Sequence, residues 1–336
     1  MLTPLIQEHV VESQVHPTGG RGRPTEQISL TKDSAVGIGI DISRFGSHAV
    51  VVDAADNAIF TLHLCSRGEW QRDFVAVLGR LQKELPEKVD TSYVRDIGIG
   101  VPHAFGSLYV PNENKALLRW VRKTVAEYFP TSGKPFIENT VRIAALAENH
   151  WGKAKGKRNI FYLRIAEGIM ATATINGFFV LGASGHAGEV GHMPITGAAG
   201  KCRCGKTGCF ETIATTSALL SSVGVKTVQQ LREAYTAHEP AAIAHVAKAA
   251  DATARICAQA IYFLNPQQII LSGAIPEELP FFIPLVATRL QELLLSGINE
   301  EIDLSTGSVS ADECARAAIL ASRQWRYYKQ RSPHHD

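Results

Sequence analysis

The sequence predicts an α/β protein of two lobes, each a three-stranded meander followed by alternating helix and strand. Two observations carry that prediction. The chain has 336 residues, which at roughly 150 residues per domain makes about two domains, or one large two-lobed unit with a sizeable core. A block of three strand-like patterns followed by helical ones then occurs twice, once from Val36 and again from Arg158.

The elements follow in order. In the first stretch, Thr3 to Val11 is compatible with a short helix and Gln27 to Leu30 alternates as a strand does. Between them, Thr18-Gly-Gly-Arg-Gly-Arg-Pro24 puts three glycines and a proline in seven residues, so it reads as a turn or extended arm. A flexible linker is the plain account of that arm, and a nucleic-acid contact is the alternative. From Val36 the runs Ala35 to Asp41, Ser47 to Asp53 and Ala58 to Cys65 predict three successive strands, hence an antiparallel meander. Helical spacing over Arg72 to Leu85, a glycine-studded strand over Tyr93 to Val101, and helices over Asn114 to Tyr128 and Arg142 to Trp151 complete the first block. The second block has strands at Ile160 to Ile165, Ala171 to Ile175 and Phe178 to Val180, then a loop-rich insertion. Helices at Leu231 to Tyr235, Pro240 to Leu264 and Pro280 to Leu295 follow, with a short apolar strand at Gln268 to Ser272 and a last helix over Asp312 to Tyr328.

Composition narrows the class. Hydrophobic residues are 45% and charged residues 20% of the chain, which excludes a disordered or collagen-like protein. Lys plus Arg (34) against Asp plus Glu (32) leaves a formal +2, so any contact with nucleic acid must come from a local patch. Three of the six cysteines fall within Cys202 to Cys209 and the rest are scattered, unlike a secreted disulfide framework. The amino-terminal stretch lacks a basic start with an apolar run, and no eighteen uncharged apolar residues occur in succession, so a soluble cytoplasmic protein is expected, without a membrane partner.

The densest chemistry lies at Gly191-His192 and Cys202-Arg-Cys204-Gly-Lys-Thr-Gly-Cys209, one imidazole and three thiols within eighteen residues. Four such donors suit a closed tetrahedral zinc site, and Gly205 and Gly208 permit the tight turns that gather thiolates. An incidental group of reduced cysteines is the alternative.

These residues resemble a known signature. Glu189-Val-Gly-His192, the spacing to Cys202-x-Cys204-Gly-x-x-Gly-Cys209 and the following Phe210-Glu211 resemble the ROK family, which contains sugar-responsive repressors and sugar kinases. Gly37-Ile-Gly-Ile-Asp41, Ile97-Gly-Ile-Gly-Val-Pro102, Ile137-Glu-Asn139 with Ala144 to Glu148, and Leu264-Asn-Pro266 with Ile269 to Gly273 agree in order and spacing, so the resemblance covers the chain from about Gly19 onward. It implies an actin-like, sugar kinase-like ATPase fold of duplicated ribonuclease H-like lobes. It also implies that the zinc, held by His192, Cys202, Cys204 and Cys209, is structural and shapes a sugar pocket. The expected layout is a remnant of a winged helix-turn-helix with its linker over 1–35, a first lobe over 36–138 completed by the helix at 312–330, and a second lobe with the zinc loop over 139–311.

The same resemblance allows the kinase parts to be checked one by one. Such a kinase needs two glycine-rich turns for nucleotide phosphates and a carboxylate base for the sugar hydroxyl. Asp41 of the first turn is present, but Ile-Ser-Arg-Phe-Gly follows it, so Arg44 and Phe45 bring bulk where glycines belong. The second turn reads Ala166-Glu-Gly-Ile-Met-Ala-Thr172, placing the Glu167 charge and Met170 where phosphate would press. Thr140 stands where the family has its catalytic aspartate, and a hydroxyl has no basicity near neutral pH. No catalytic residue and no ATP cofactor are therefore expected.

The sugar positions are kept: Asn139, Glu189, His192 and Glu211 match those that meet sugar hydroxyls in the family, for which amides and carboxylates are suited. A second account of Glu189 and Glu211 is that they only orient the zinc ligands. His103 replaces the usual glycine after Pro102 and would alter which sugar fits. The expected effector, a sugar or sugar phosphate, lies between the two lobes.

Family repressors, the N-acetylglucosamine and xylose repressors among them, carry a winged helix-turn-helix ahead of the body. Gly19 to Pro24 resembles their linker, and Leu5 to Glu12 resembles the end of a recognition helix entering the first wing strand. The preceding helices are absent, so the DNA-binding module is read as truncated, in nature or by a start assigned too far downstream. Arg21 and Arg23 also resemble an arm that enters the minor groove. The expectation is a sugar-sensing regulator of the repressor branch, a homodimer or homotetramer that meets DNA if the module is completed upstream. A divergent ATP-dependent sugar kinase and a stand-alone sugar-binding or protein-interaction module are the alternatives.

Overall fold

A computed structural model of the chain describes residues 6, 11–16, 25–31, 36–43, 46–65, 69–102, 115–130, 133–297 and 302–331. Two compact units divide it: residues 1–147 with 310–336 form one, and residues 148–309 form the other.

The first unit opens with a two-stranded antiparallel hairpin, β1 (Val11–His16) and β2 (Thr25–Leu30), in which Val11 faces Leu30. The helix expected over Thr3 to Val11 therefore ends before Val11, which is already extended. Its other residues lie outside the described ones, apart from Ile6, as do Arg21, Arg23 and the Gly19 to Pro24 linker.

The meander forms as expected. β3 (Val36–Ser43), β4 (Gly46–Val52) and β5 (Ala58–Cys65) pair antiparallel in sequence. Helix α1 (Trp70–Glu84) follows, then β6 (Val94–Val101), α2 (Lys115–Tyr128), β7 (Phe136–Asn139) and α3 (Thr140–His150). β6 and β7 join parallel, so the sheet runs β5-β4-β3-β6-β7. β7 has only four residues, too short to show a strand period, which is why it was not expected. On one face of this sheet, Ile38, Ile40, Ile97, Ile99 and Ile137 pack with Phe74, Leu78, Val121 and Val125 of α1 and α2.

The second unit repeats that layout. β8 (Ile160–Ile165), β9 (Ile169–Ile175) and β10 (Phe178–Phe179) are antiparallel, while β11 (Gln268–Ser272) and β12 (Asp303–Thr306) add parallel in the order β10-β9-β8-β11-β12. Between β10 and β11 come α4 (Glu211–Ala214), α5 (Thr216–Val223), α6 (Val228–Thr236) and α7 (Pro240–Leu264). Thr215 and Thr227 cap α5 and α6 by accepting the N–H of Ala218 and Gln230. Then α8 (Ala274–Glu278) and α9 (Phe282–Leu293) lead to β12. Twelve residues of α7 are buried, most of them alanines, so this helix packs close to its neighbours.

The last helix, α10 (Ala311–Arg331), belongs to the first unit and crosses the opposite face of its sheet from α1 and α2. It explains the glycines of β3 and β6. A Cβ on Gly39 would lie 1.9 Å from the Ala315 carbonyl oxygen, and one on Gly98, its register partner, 1.9 Å from that of Ala318. Only glycine lets the helix backbone rest directly on the strands. Among the described residues, no helix is long and apolar enough to cross a membrane.

Candidate functional site

His192 ends a short 3-10 turn, Val190–His192, and the cysteines follow on a loop that folds back on itself. Pro194 bridges to Cys209 and Lys201 to Thr207, both antiparallel. The Cys202 N–H donates to the Lys206 carbonyl and the Gly205 N–H returns to Cys202, so a tight turn presents Cys202 and Cys204 together. Gly208 has φ of 81°, and a Cβ there would sit 2.8 Å from the Ala198 carbonyl, so the loop closes only with glycine at that position.

Folding thereby brings together the four donors that the sequence singled out. One ligand atom from each of His192, Cys202, Cys204 and Cys209 lies within 4.8 Å of all the others. Cys202 Sγ is 3.6 Å from His192 Nδ1, and Cys204 Sγ is 3.7 Å from Cys209 Sγ. With Zn–S of about 2.3 Å and Zn–N of about 2.0 Å, a tetrahedron has edges of about 3.8 Å between sulfurs and about 3.5 Å between sulfur and nitrogen. The donor set therefore fits a zinc ion. Burial pushes the Cys209 thiol up to about 12, and the neighbouring sulfurs add to that, so ionising it calls for a cation close by. Cys204 is shifted the other way, chiefly by the Lys206 N–H.

The nearby carboxylates differ from each other. Glu211 begins α4 and is 6% exposed. Its Oε1 accepts the Ile169 N–H at 2.9 Å and Arg203 Nη2 at 2.9 Å, and its Oε2 accepts Arg203 Nε at 3.1 Å. Oε2 also lies 3.9 Å from Cys202 Sγ and 4.0 Å from His192 Nδ1. Glu189 is half-buried, with its Oε2 4.0 Å from His192 Nε2. The two imidazole nitrogens thus have separate neighbourhoods, Nδ1 toward sulfur and Nε2 toward Glu189, which allows one ring to serve a metal and a hydroxyl at once.

Arg203 was not singled out from the sequence, although an arginine between two cysteines was visible there. Its guanidinium caps Glu211 and stands beside the turn after β8, where a Cβ on Gly168 would be 2.9 Å from Arg203 Nη2. Glu167 and Met170 lie on and just after this turn, both half-buried.

Asn139 and Thr140 belong to the first unit, at the junction of β7 and α3. Asn139 caps the helix, its Oδ1 accepting the Val141 N–H at 2.7 Å. Thr140 opens the helix and is 7% exposed. Beneath them Glu138 Oε1 accepts the Asn139 N–H at 2.8 Å and Arg142 Nη1 at 2.9 Å, with both side chains buried. Burial pushes the Glu138 carboxyl up, against the pull of Arg142 and of that N–H. Asp41, near the end of β3, is also buried, and a Cβ on Gly100 would lie 2.7 Å from its Oδ1. Arg44, Phe45 and His103 fall outside the described residues.

Two units of identical strand order, and a thiol-imidazole cluster flanked by carboxylates, define an α/β protein of the sugar kinase-like class. The chain belongs to the ROK family, whose sequence pattern matches residues 37–324. It is 27% identical over 321 residues to the xylose repressor of Caldicellulosiruptor bescii, covering 86% of this chain and 77% of that protein. With the DNA-binding transcriptional dual regulator NagC of Escherichia coli it shares 24% identity over 206 residues, covering 56% of this chain and 50% of NagC. Among solved structures, a ROK transcriptional regulator homologous to the E. coli MLC protein superposes with a TM-score of 0.75 at 19% identity, covering 95% of this chain and 86% of that one. A ROK hexokinase from Thermus thermophilus does so with 0.72 at 21% identity, covering 87% and 99%. At these identities the two structures speak for the fold, which repressors and kinases share.

Proposed function

We propose that this chain is the effector-binding body of a sugar-responsive transcriptional regulator without phosphotransfer activity. The observation that carries the reading is Thr140. It opens α3 directly after the capping Asn139, where the family resemblance puts the catalytic aspartate, and it offers no base. The repressor relatives support the same reading.

In this account His192, Cys202, Cys204 and Cys209 hold a structural zinc, which fixes the loop and with it the orientation of His192. Glu189 accepts from sugar hydroxyls, His192 Nε2 meets a neighbouring one, and Asn139 contributes its amide. Glu211 is already bound by Arg203 and the Ile169 N–H, so it either exchanges Arg203 for the sugar or lets Arg203 meet the ligand. Binding energy biases the conformational equilibrium of the chain, and through a homodimer or homotetramer it sets the spacing of DNA-reading elements joined at the amino end. Arg21 and Arg23 add a minor-groove contact when those elements are present.

A thermal-shift screen over xylose, hexoses, amino sugars and their 6-phosphates tests the sugar site, since a ligand that binds the folded state raises its melting temperature. At least one sugar is expected to do so, and Glu189→Gln is expected to weaken that shift. No shift with any sugar would leave Glu189 and Glu211 as supports of the zinc ligands and the body as a protein-interaction module. The kinase reading draws on the fold shared with the hexokinase. ATP consumption with any of these sugars would establish it instead.

A further inference from the structure

A second group of metal-type donors lies in the first unit. β4 and β5 are antiparallel neighbours, and their register sets His48 directly opposite His63. Cross-strand partners project on the same face of a sheet. For β4 that face is the one holding Val50 and Val52, which pack against Ala315 and Ile319 of α10. One turn back from Ala315 the helix carries Asp312, and two residues back from Val50 the strand carries His48. Packing of the helix on the sheet thus delivers the carboxylate to the histidine pair.

The resulting geometry is close. Asp312 Oδ1 lies 2.8 Å from His63 Nε2 and 3.4 Å from His48 Nδ1. The two rings are 4.5 Å apart between centroids. A ligand atom from each of the three residues lies within 4.8 Å of the others. Asp312 is also held in place, because the first turn of α10 is closed by a reciprocal cap. Glu313 Oε2 accepts the Ser310 N–H at 2.7 Å, and Ser310 Oγ accepts the Glu313 N–H at 3.2 Å.

The geometry points to a divalent-metal site formed by His48, His63 and Asp312. Two imidazoles and one carboxylate without a thiol select a borderline first-row cation, such as zinc or cobalt, over magnesium or calcium. With side-chain exposures of 27%, 58% and 40%, the three residues leave room for water to complete the coordination. An occupied site ties β4, β5 and α10 together. A histidine pair that only shares a carboxylate through hydrogen bonds is the competing account, and it predicts no metal uptake.

The test uses the full chain with its cysteine cluster already loaded with zinc. Cobalt(II) is added, and uptake is followed by equilibrium dialysis with elemental analysis and by visible absorption. The wild type is expected to take up a further equivalent, with ligand-field bands and no sulfur-to-cobalt charge-transfer band. His63→Ala removes an exposed side chain and keeps the fold, as circular dichroism would verify, and should weaken the uptake at least tenfold. Asp312→Asn should do likewise, and the melting temperature should rise with cobalt in the wild type only. No further equivalent in the wild type, or equal uptake by His63→Ala, would overturn the assignment.

Discussion

Arg142→Ala removes the charge partner of a carboxylate that has no route to water. Glu138 and Arg142 are 2% and 4% exposed at their side chains and meet at 2.9 Å. Glu138 Oε1 has the Asn139 N–H as its other partner, whereas Oε2 finds no hydrogen bond among the described residues. Truncating the arginine leaves the buried charge with a single N–H, and breaking such a pair costs about 3–5 kcal/mol. Against a total stability of about 5–15 kcal/mol that is a large fraction. The pH dependence has a definite sign. Burial holds the Glu138 carboxyl above its ordinary 4.5, so the folded chain keeps this proton to higher pH than the unfolded chain does. Its contribution is then most favourable below 4.5 and is lost as pH rises through the folded value. Without Arg142 the folded value climbs further, so the destabilisation deepens from acid to neutral pH. Urea denaturation at both pH values reads this through Trp70 and Trp120, which pack edge to face in the same unit. The charge-free double variant Glu138→Gln with Arg142→Met should recover most of the loss. A cost below about 1 kcal/mol at neutral pH, as for an exposed pair, would refute the reasoning.

Further outcomes are expected elsewhere. Gly98→Ala places a methyl 1.9 Å from the Ala318 carbonyl oxygen and should cost at least about 1–3 kcal/mol, seen as a lower melting temperature; an unchanged one would mean α10 does not rest there. Cys204→Ser should lower both metal content, by elemental analysis, and thermal stability, and retention of both would exclude a structural zinc at these residues. Arg203→Ala releases Glu211 from an exposed guanidinium worth about 0.2–1 kcal/mol, so calorimetry should show a neutral sugar binding up to about fivefold tighter and a sugar phosphate not tighter; equal affinities before and after would show that the pair does not compete with ligand. Thr140→Asp alone should give no ATP turnover in a coupled assay, because Glu167 and Met170 still alter the second phosphate turn; robust turnover would return the chain to the kinases.

The sequence by itself determined what short stretches of chain encode. Strand-like runs of seven to nine residues marked β3, β5 and β6, and helical spacing marked α1, α7 and α10, because a pattern sustained over several positions outweighs local noise. The thiol-imidazole cluster was legible for a related reason, since its donors all fall within eighteen consecutive residues and two glycine turns suffice to gather them. Four-residue β7 and β12 were not, having too few positions to show a period and being held by their parallel neighbours. The tertiary structure alone decided why β3 and β6 carry glycines, because the backbone that excludes a side chain there arrives from a helix more than two hundred residues later. It alone decided that Arg203 covers Glu211, that Glu138 buries its charge against Arg142, and that Asp312 reaches His48 and His63. Covalent spacing fixes which residues can be neighbours along a turn, whereas neighbours across 249 residues of chain exist only once a helix has packed on a sheet.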